Sequence, residues 1–226
     1  MCSQIFNGLL ELDTALTLRP VLCRSWSLDT SGLIYTFHLR TDVWFHPSLL
    51  FGPDSTRRMV AEDVRYSFTR ICDPAVAAKG FWIFNGKVAG VEDFHSGRAA
   101  SVAGFEAPDD STFMIRLQKP FAPFPNLLAM TYASVVPHEV VDRHGKDFRG
   151  HPVGTGPFCF KSWNENVSLI LLKNPRYFET DALGRSLPYM DAVRVRFIRE
   201  RLSEFVELCQ GRLDFVNGID KSTKDE

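Results

Sequence analysis

The chain has 226 residues, 45% hydrophobic and 12% aromatic, enough for one large core or two smaller ones. Its 26 basic and 27 acidic residues give a formal net charge of −1, which offers no electrostatic footprint for nucleic acid or an anionic membrane. The longest mostly apolar stretch, residues 127–136, is broken by Thr131, Tyr132 and Ser134 and is too short to span a bilayer.

Residues 32–47, GLIYTFHLRTDVWFHP, carry the first clear period. Leu33, Tyr35, Phe37 and Leu39 alternate with Ile34, Thr36, His38 and Arg40, as a half-buried β-strand requires. Val43 and Phe45 keep the odd-numbered parity beyond a polar break, which predicts a second strand or a bend. Pro47 has no N–H to donate and ends the pairing after His46. His38 and His46 share the even-numbered side. No Cys or His stands at finger or HExxH spacing around them, so both read as histidines of a polar strand face, not as metal ligands.

Residues 60–71, VAEDVRYSFTRI, place Val60, Val64, Phe68 and Ile71 at helical spacing, with Glu62 and Asp63 in the first turn and Asp73-Pro74 as the stop. Residues 81–97 are less regular and hold three glycines. Pro108-Asp109-Asp110 reads as a turn into a second amphipathic strand with Phe113, Ile115 and Leu117 on one side. A proline-started helix over 121–130 and a short helix over 135–145 closed by Gly145 follow.

Beyond the Gly/Pro-dense 150–157 the character changes, and this stretch marks a domain boundary. Strands are predicted at 167–175 and 191–198, and a helix at 201–211 with Leu202, Phe205 and Cys209 inward. A last strand is expected at 213–218, and the polar 221–226 read as a frayed end or linker.

No catalytic constellation emerges. Adjacent carboxylates (Glu62 and Asp63, Glu92 and Asp93, Asp109 and Asp110) point apart and read as surface charges. No GxSxG, GxxxxGK[ST] or GxGxxG occurs, and the GTG at 154–156 is too short for a phosphate loop. Arg194, Arg196, Arg199 and Arg201 read as the solvated side of a strand and helix start. Cys2, Cys23, Cys72, Cys159 and Cys209 form no CxxC and read as small buried hydrophobes, with neither a disulfide nor a metal expected. Cys2 lacks the apolar segment that precedes a lipidated cysteine.

Seven segments in this order resemble the family 5 extracellular solute-binding proteins, the dipeptide, oligopeptide and nickel-binding receptors of ABC importers. They are NGLLELD at 7–13, LRPVLCRSW at 18–26, LIYTFHLRTDVWFH at 33–46, VAEDVRYSFTRICDP at 60–74, VGTGPFCFKSW at 153–163, LLKNPRYF at 171–178 and GRLDFVNG at 211–218. Each alone is weak; the order across nearly the whole chain is the specific part. Two departures stand out: residues 47–59 replace a shorter turn, and Val60 sits where Ser or Thr often caps the helix.

The resemblance implies an α/β, periplasmic-binding-protein-like class II fold with mixed sheets. Residues 1–9 would begin one lobe, 10–150 would form an inserted subdomain, and 151–226 would continue that first lobe. The second, ligand-closing lobe would lie outside the chain, which looks like an N-terminal fragment. The stretch KGFWIFNG at 79–86 matches a segment that lends an aromatic residue to the cleft wall, so Trp82, then Phe81 and Phe84, are the expected ligand contacts, with Tyr132 a weaker fourth.

The implied function is that of an ABC-importer receptor for small peptides, periplasmic or extracellular, working with a membrane permease and without cofactor or nucleic acid. Lipid anchoring stays open, and an unfinished sheet would favour self-association. Nickel or an oligosaccharide is the alternative cargo within the family. A metal-dependent hydrolase using some of the six histidines, and an interaction domain used for assembly, are the readings from other classes.

Overall fold

The computed structural model describes residues 2–218, so the 221–226 tail lies outside the described residues. Short helix α1 (Cys2–Ile5) leads into a ribbon of β1 (Leu10–Leu12) and β2 (Leu18–Pro20). Next come β3 (Cys23–Leu28), β4 (Ile34–Leu39), α2 (Ala61–Cys72), α3 (Val91–His95), β5 (Phe105–Asp109) and β6 (Thr112–Arg116). These four strands form an antiparallel sheet in the order β3-β4-β6-β5. Helices α4 (Phe124–Leu128) and α5 (His138–His144) follow, then a 3-10 segment, Gly145–Gly150. A separate antiparallel sheet joins β7 (Phe158–Asn164), β8 (Ser168–Lys173) and β9 (Ala192–Arg196) before α6 (Arg201–Cys209).

The alternation of residues 33–39 has a direct structural cause. Tyr35, Phe37 and Leu39 are buried, and the first two pair with Ile115 and Phe113 of β6. Helix α2 lays Val64, Phe68 and Ile71 on this face. The Phe68 ring lies 5.0 Å from Phe84, 5.8 Å from Phe105 and 5.6 Å from Phe113, a tilted and edge-on cluster of the kind aromatic quadrupoles favour. Burying one such ring stabilises the fold by about 3 kcal/mol. Val43 and Phe45 are buried, but their segment forms only the single bridge Trp44–Arg58, not a second strand.

The 47–59 excursion builds the start of α2. Val60 has no side-chain oxygen to cap with, so Asp63 supplies the other half of the capping exchange and accepts the Val60 N–H at 2.9 Å. Asp63 is not the surface charge that its acidic neighbour suggests: it is 2% exposed. Arg57 grips it through two hydrogen bonds of 2.6 and 2.8 Å and holds Glu139 of α5 through two more, of 2.5 and 2.8 Å. The guanidinium also lies 4.9 Å over the Phe45 ring and 5.4 Å over Phe51. Burial alone would lower its pKa; the bonds to Asp63 and Glu139 outweigh that and raise it.

A second small core gathers Ile5, Phe158, Leu169 and Leu171 under the three-stranded sheet. The chain crosses between the two cores at residues 5–9. There Gly154 and Gly156 are required by close approach: a Cβ on Gly154 would lie 2.1 Å from the Ile5 carbonyl, and one on Gly156 would lie 2.6 Å from the Gln4 carbonyl. Thr155 donates to the Asn7 side-chain oxygen at 3.0 Å, and Asn174 donates to the Gly156 carbonyl at 2.9 Å. The GTG segment is therefore a backbone junction.

Several expectations need correction. His46 is not on a polar face: it is 2% exposed and bonded within that junction. Cys23 and Cys72 are buried as expected, whereas Cys2 and Cys209 are exposed. On α6, Leu202 is 60% exposed and Cys209 is also outward, leaving only Phe205 of the expected inner set partly buried. Residues 213–218 form no strand, and Phe215 there is 80% exposed.

Candidate functional site

Three aromatic residues within four positions follow Gly80, and a tight turn sends them in three directions. Phe81–Ile83 is a 3-10 turn, whose three residues per turn spread side chains widely around its axis. Phe81 turns back and stacks on His95 at 4.1 Å, while the His95 Nδ1 bonds the Cys72 carbonyl at 2.8 Å. Phe84 enters the core, wholly buried against Phe68 and with its ring 5.2 Å from Phe105. No face of Phe84 is left for a ligand. Trp82 points outward and is 46% exposed.

Tyr132 packs on the glycine that precedes this turn. It sits in the 3-10 turn Thr131–Ala133, whose Ala133 is fully buried and anchors the turn to the large core. A Cβ on Gly80 would lie 2.8 Å from the Tyr132 Cβ, so the tyrosine rests directly on the Gly80 backbone. Tyr132 is 45% exposed and Met130 beside it 37%. Two half-exposed aromatic side chains thus belong to one region, Tyr132 resting on Gly80 and Trp82 following that glycine by two residues, each next to a buried neighbour, Ile83 or Ala133.

Lys87 is a member of the patch that sequence reasoning misses. Gly86, at φ +69°, turns the chain so that the Lys87 ammonium donates to the Trp82 carbonyl at 2.8 Å and to the Asn85 carbonyl at 3.3 Å. It lies 6.0 Å from both the Trp82 and Phe121 rings. The patch therefore pairs apolar ring faces with one cation at its edge. The only available hint was a lysine one residue after a glycine in an aromatic segment.

The patch holds no activated nucleophile or paired acid and base. Among the described residues no group of three or more His, Cys, Asp or Glu side chains is placed to hold a metal ion. No described helix is long and apolar enough to cross a membrane.

Comparison with known proteins fits this architecture. Residues 17–226 match the model for the middle region of bacterial extracellular solute-binding proteins, family 5. The chain is 34% identical over 185 residues to di/tripeptide-binding protein 4 of Pseudomonas aeruginosa, covering 77% of this chain and 33% of that protein. It is 30% identical over 223 residues to heme-binding protein A of Haemophilus influenzae, covering 94% of this chain and 38% of that one. Among solved structures, the periplasmic binding protein DppA of Helicobacter pylori in complex with the peptide STSA superposes with a TM-score of 0.79 at 30% identity, over 98% of this chain and 42% of DppA. The chain thus spans between a third and two fifths of the length of these curated relatives. The mixed α/β fold of the periplasmic binding proteins is the one observed, and the chain belongs to the bacterial extracellular solute-binding proteins of family 5.

Proposed function

We propose that this chain is part of a peptide-binding receptor of an ABC importer, and that Trp82 and Tyr132 form one wall of its ligand cleft. The carrying observation is that both side chains are half-exposed and that Tyr132 rests on the Gly80 backbone, two residues before Trp82. Such a wall recognises small peptides by physical means. Ring faces cover apolar side chains and peptide planes, while the indole N–H and phenol hydroxyl supply one hydrogen bond each. No covalent step is involved. Binding works by desolvating the ligand between this wall and a facing one, the closed state being favoured only when the ligand touches both.

The separate sheets, β3-β4-β6-β5 and β7-β8-β9, support a division into an inserted subdomain over 10–150 and a lobe continued beyond 151. A peptide cargo is supported by the identity to the Pseudomonas di/tripeptide-binding protein. The reading places the protein outside the cytoplasmic membrane, handing cargo to a permease. The test is a two-dimensional NMR titration with di- and tripeptides. The Trp82 indole resonance and the backbone of residues 80–82 and 131–133 should move together; no movement there, or movement only elsewhere, overturns the assignment.

A further inference from the structure

Helix α2 has a second working face. Its inner stripe, Val64, Phe68 and Ile71, is buried on the sheet. Its outer stripe at the same helical spacing borders a groove of about 810 Å3, closed on the far side by α5 and the 3-10 segment Gly145–Gly150. None of its lining residues belongs to the Trp82–Tyr132 patch.

The walls are amphipathic. Val76, Phe94, Val141 and Phe148 provide apolar surface, and Arg70 of α2 with Lys146 and Arg149 of the 3-10 segment provide positive charge. Other charged groups of the groove already have bonds. Glu62 takes two hydrogen bonds from Arg65, at 2.6 and 2.7 Å; Asp142 accepts the Tyr66 hydroxyl at 2.7 Å; Asp73 caps the Ala75 N–H at 2.8 Å. Arg70 and Lys146 make no side-chain hydrogen bond or ion pair among the described residues. Arg149, the third such cation, lies over the Trp163 ring at 5.6 Å, which leaves Arg70 and Lys146 as the lining cations with neither a side-chain hydrogen bond nor a ring contact among the described residues.

We propose that this groove is a binding site for a small organic anion with an apolar body, its carboxylate received by Arg70 and Lys146. The volume falls in the range of small-ligand clefts, and charge-assisted bonds to a carboxylate are the strong kind available to an arginine and a lysine. Asp73 and Asp142 line the same groove and repel a multiply charged anion more than a single carboxylate.

The test is an NMR titration of the chain with 4-phenylbutyrate and, separately, with its neutral isostere 4-phenylbutanamide. The site predicts saturable shifts at the amides of Arg70, Val76, Phe94 and Lys146 with the Trp82 indole unmoved, and an affinity for the carboxylate about tenfold above that for the amide. The Arg70→Gln/Lys146→Gln variant should lose that tenfold and keep the weaker amide binding. Equal affinities for the two probes, no saturation, or shifts at Trp82 in place of the groove would overturn the proposal. Because Trp82 is read in the same spectra, failure here is distinct from failure of the peptide wall.

Discussion

The His46 imidazole bonds the Gly156 carbonyl at 2.9 Å across 110 residues of chain, tying the loop after β4 to the junction between the two cores. Its Nδ1 faces the Gly154 N–H at 3.3 Å and must accept, so Nε2 carries the proton and donates. The His46 N–H also donates to the Gly154 carbonyl at 2.8 Å. Burial pushes the imidazole pKa down from 6.5 to about 4, against the opposing effect of its bond to Gly156.

That shift makes stability depend on pH in a stated direction. Between about pH 6.5 and 4 the unfolded chain protonates His46 while the folded one does not, so stability falls as the pH drops through this window and the effect levels off below 4. The full shift corresponds to about 3 kcal/mol. Urea unfolding at pH 7 and pH 5 should give a lower midpoint at pH 5, and His46→Gln should be less stable at pH 7 with a smaller drop between the two. An unchanged pH dependence in the variant would remove His46 as its source.

Arg57 bridges Asp63 and Glu139, the first of which is almost wholly buried. Removing the cation leaves the Asp63 charge with only the Val60 N–H, so Arg57→Ala should destabilise the fold by about 3 kcal/mol. Asp63→Asn combined with Arg57→Met should recover much of that loss, since no buried charge is then left alone. Denaturant midpoints of the single and double variants decide it.

Gly80 has an ordinary φ of −81°, so an alanine there strains no backbone, yet its Cβ would meet Tyr132 at 2.8 Å. Gly80→Ala should therefore cost about 1–2 kcal/mol. In a Tyr132→Gly background, which removes the Tyr132 Cβ itself, the same substitution should cost nearly nothing. Additive costs in the double-mutant cycle would show that the tyrosine does not rest on the glycine.

Two neighbouring glycines should behave in opposite ways. Gly150 has open space where its Cβ would be, and its φ lies outside the left-handed region, so Gly150→Ala should be neutral or stabilise by about 0.5 kcal/mol. At Gly154 a Cβ would sit within 2.1 Å of backbone at Ile5, and Gly154→Ala should abolish cooperative folding. Thermal unfolding followed by circular dichroism separates the two.

Much of the fold was legible because periodicity and burial coincide. The alternation of 33–39 became β4, the 60–71 stripe became α2 one residue later, and Gly145 closes α5 as expected. The failures have physical causes. His46 was placed by strand parity, but the strand ends at Leu39, and beyond it parity says nothing about side-chain direction. Asp63 resembles a surface carboxylate until Arg57 folds over it from a loop without periodicity. The spacing on α6 reads Leu202, Phe205 and Cys209 as inward, yet Leu202 and Cys209 are exposed. In the candidate site, Trp82 and Tyr132 follow from family resemblance, and the packing of Tyr132 on the bare Gly80 backbone is something no sequence period encodes.

The most direct test of the peptide wall is calorimetry of this 226-residue chain against a pool of di- and tripeptides, with Trp82→Ala alongside. The Trp82–Tyr132 surface is open to solvent, and association must offset several kcal/mol of lost translational and rotational freedom. The account predicts weak binding, with Kd on the order of millimolar, that disappears in Trp82→Ala. Saturable micromolar binding, or binding indifferent to Trp82, would contradict it.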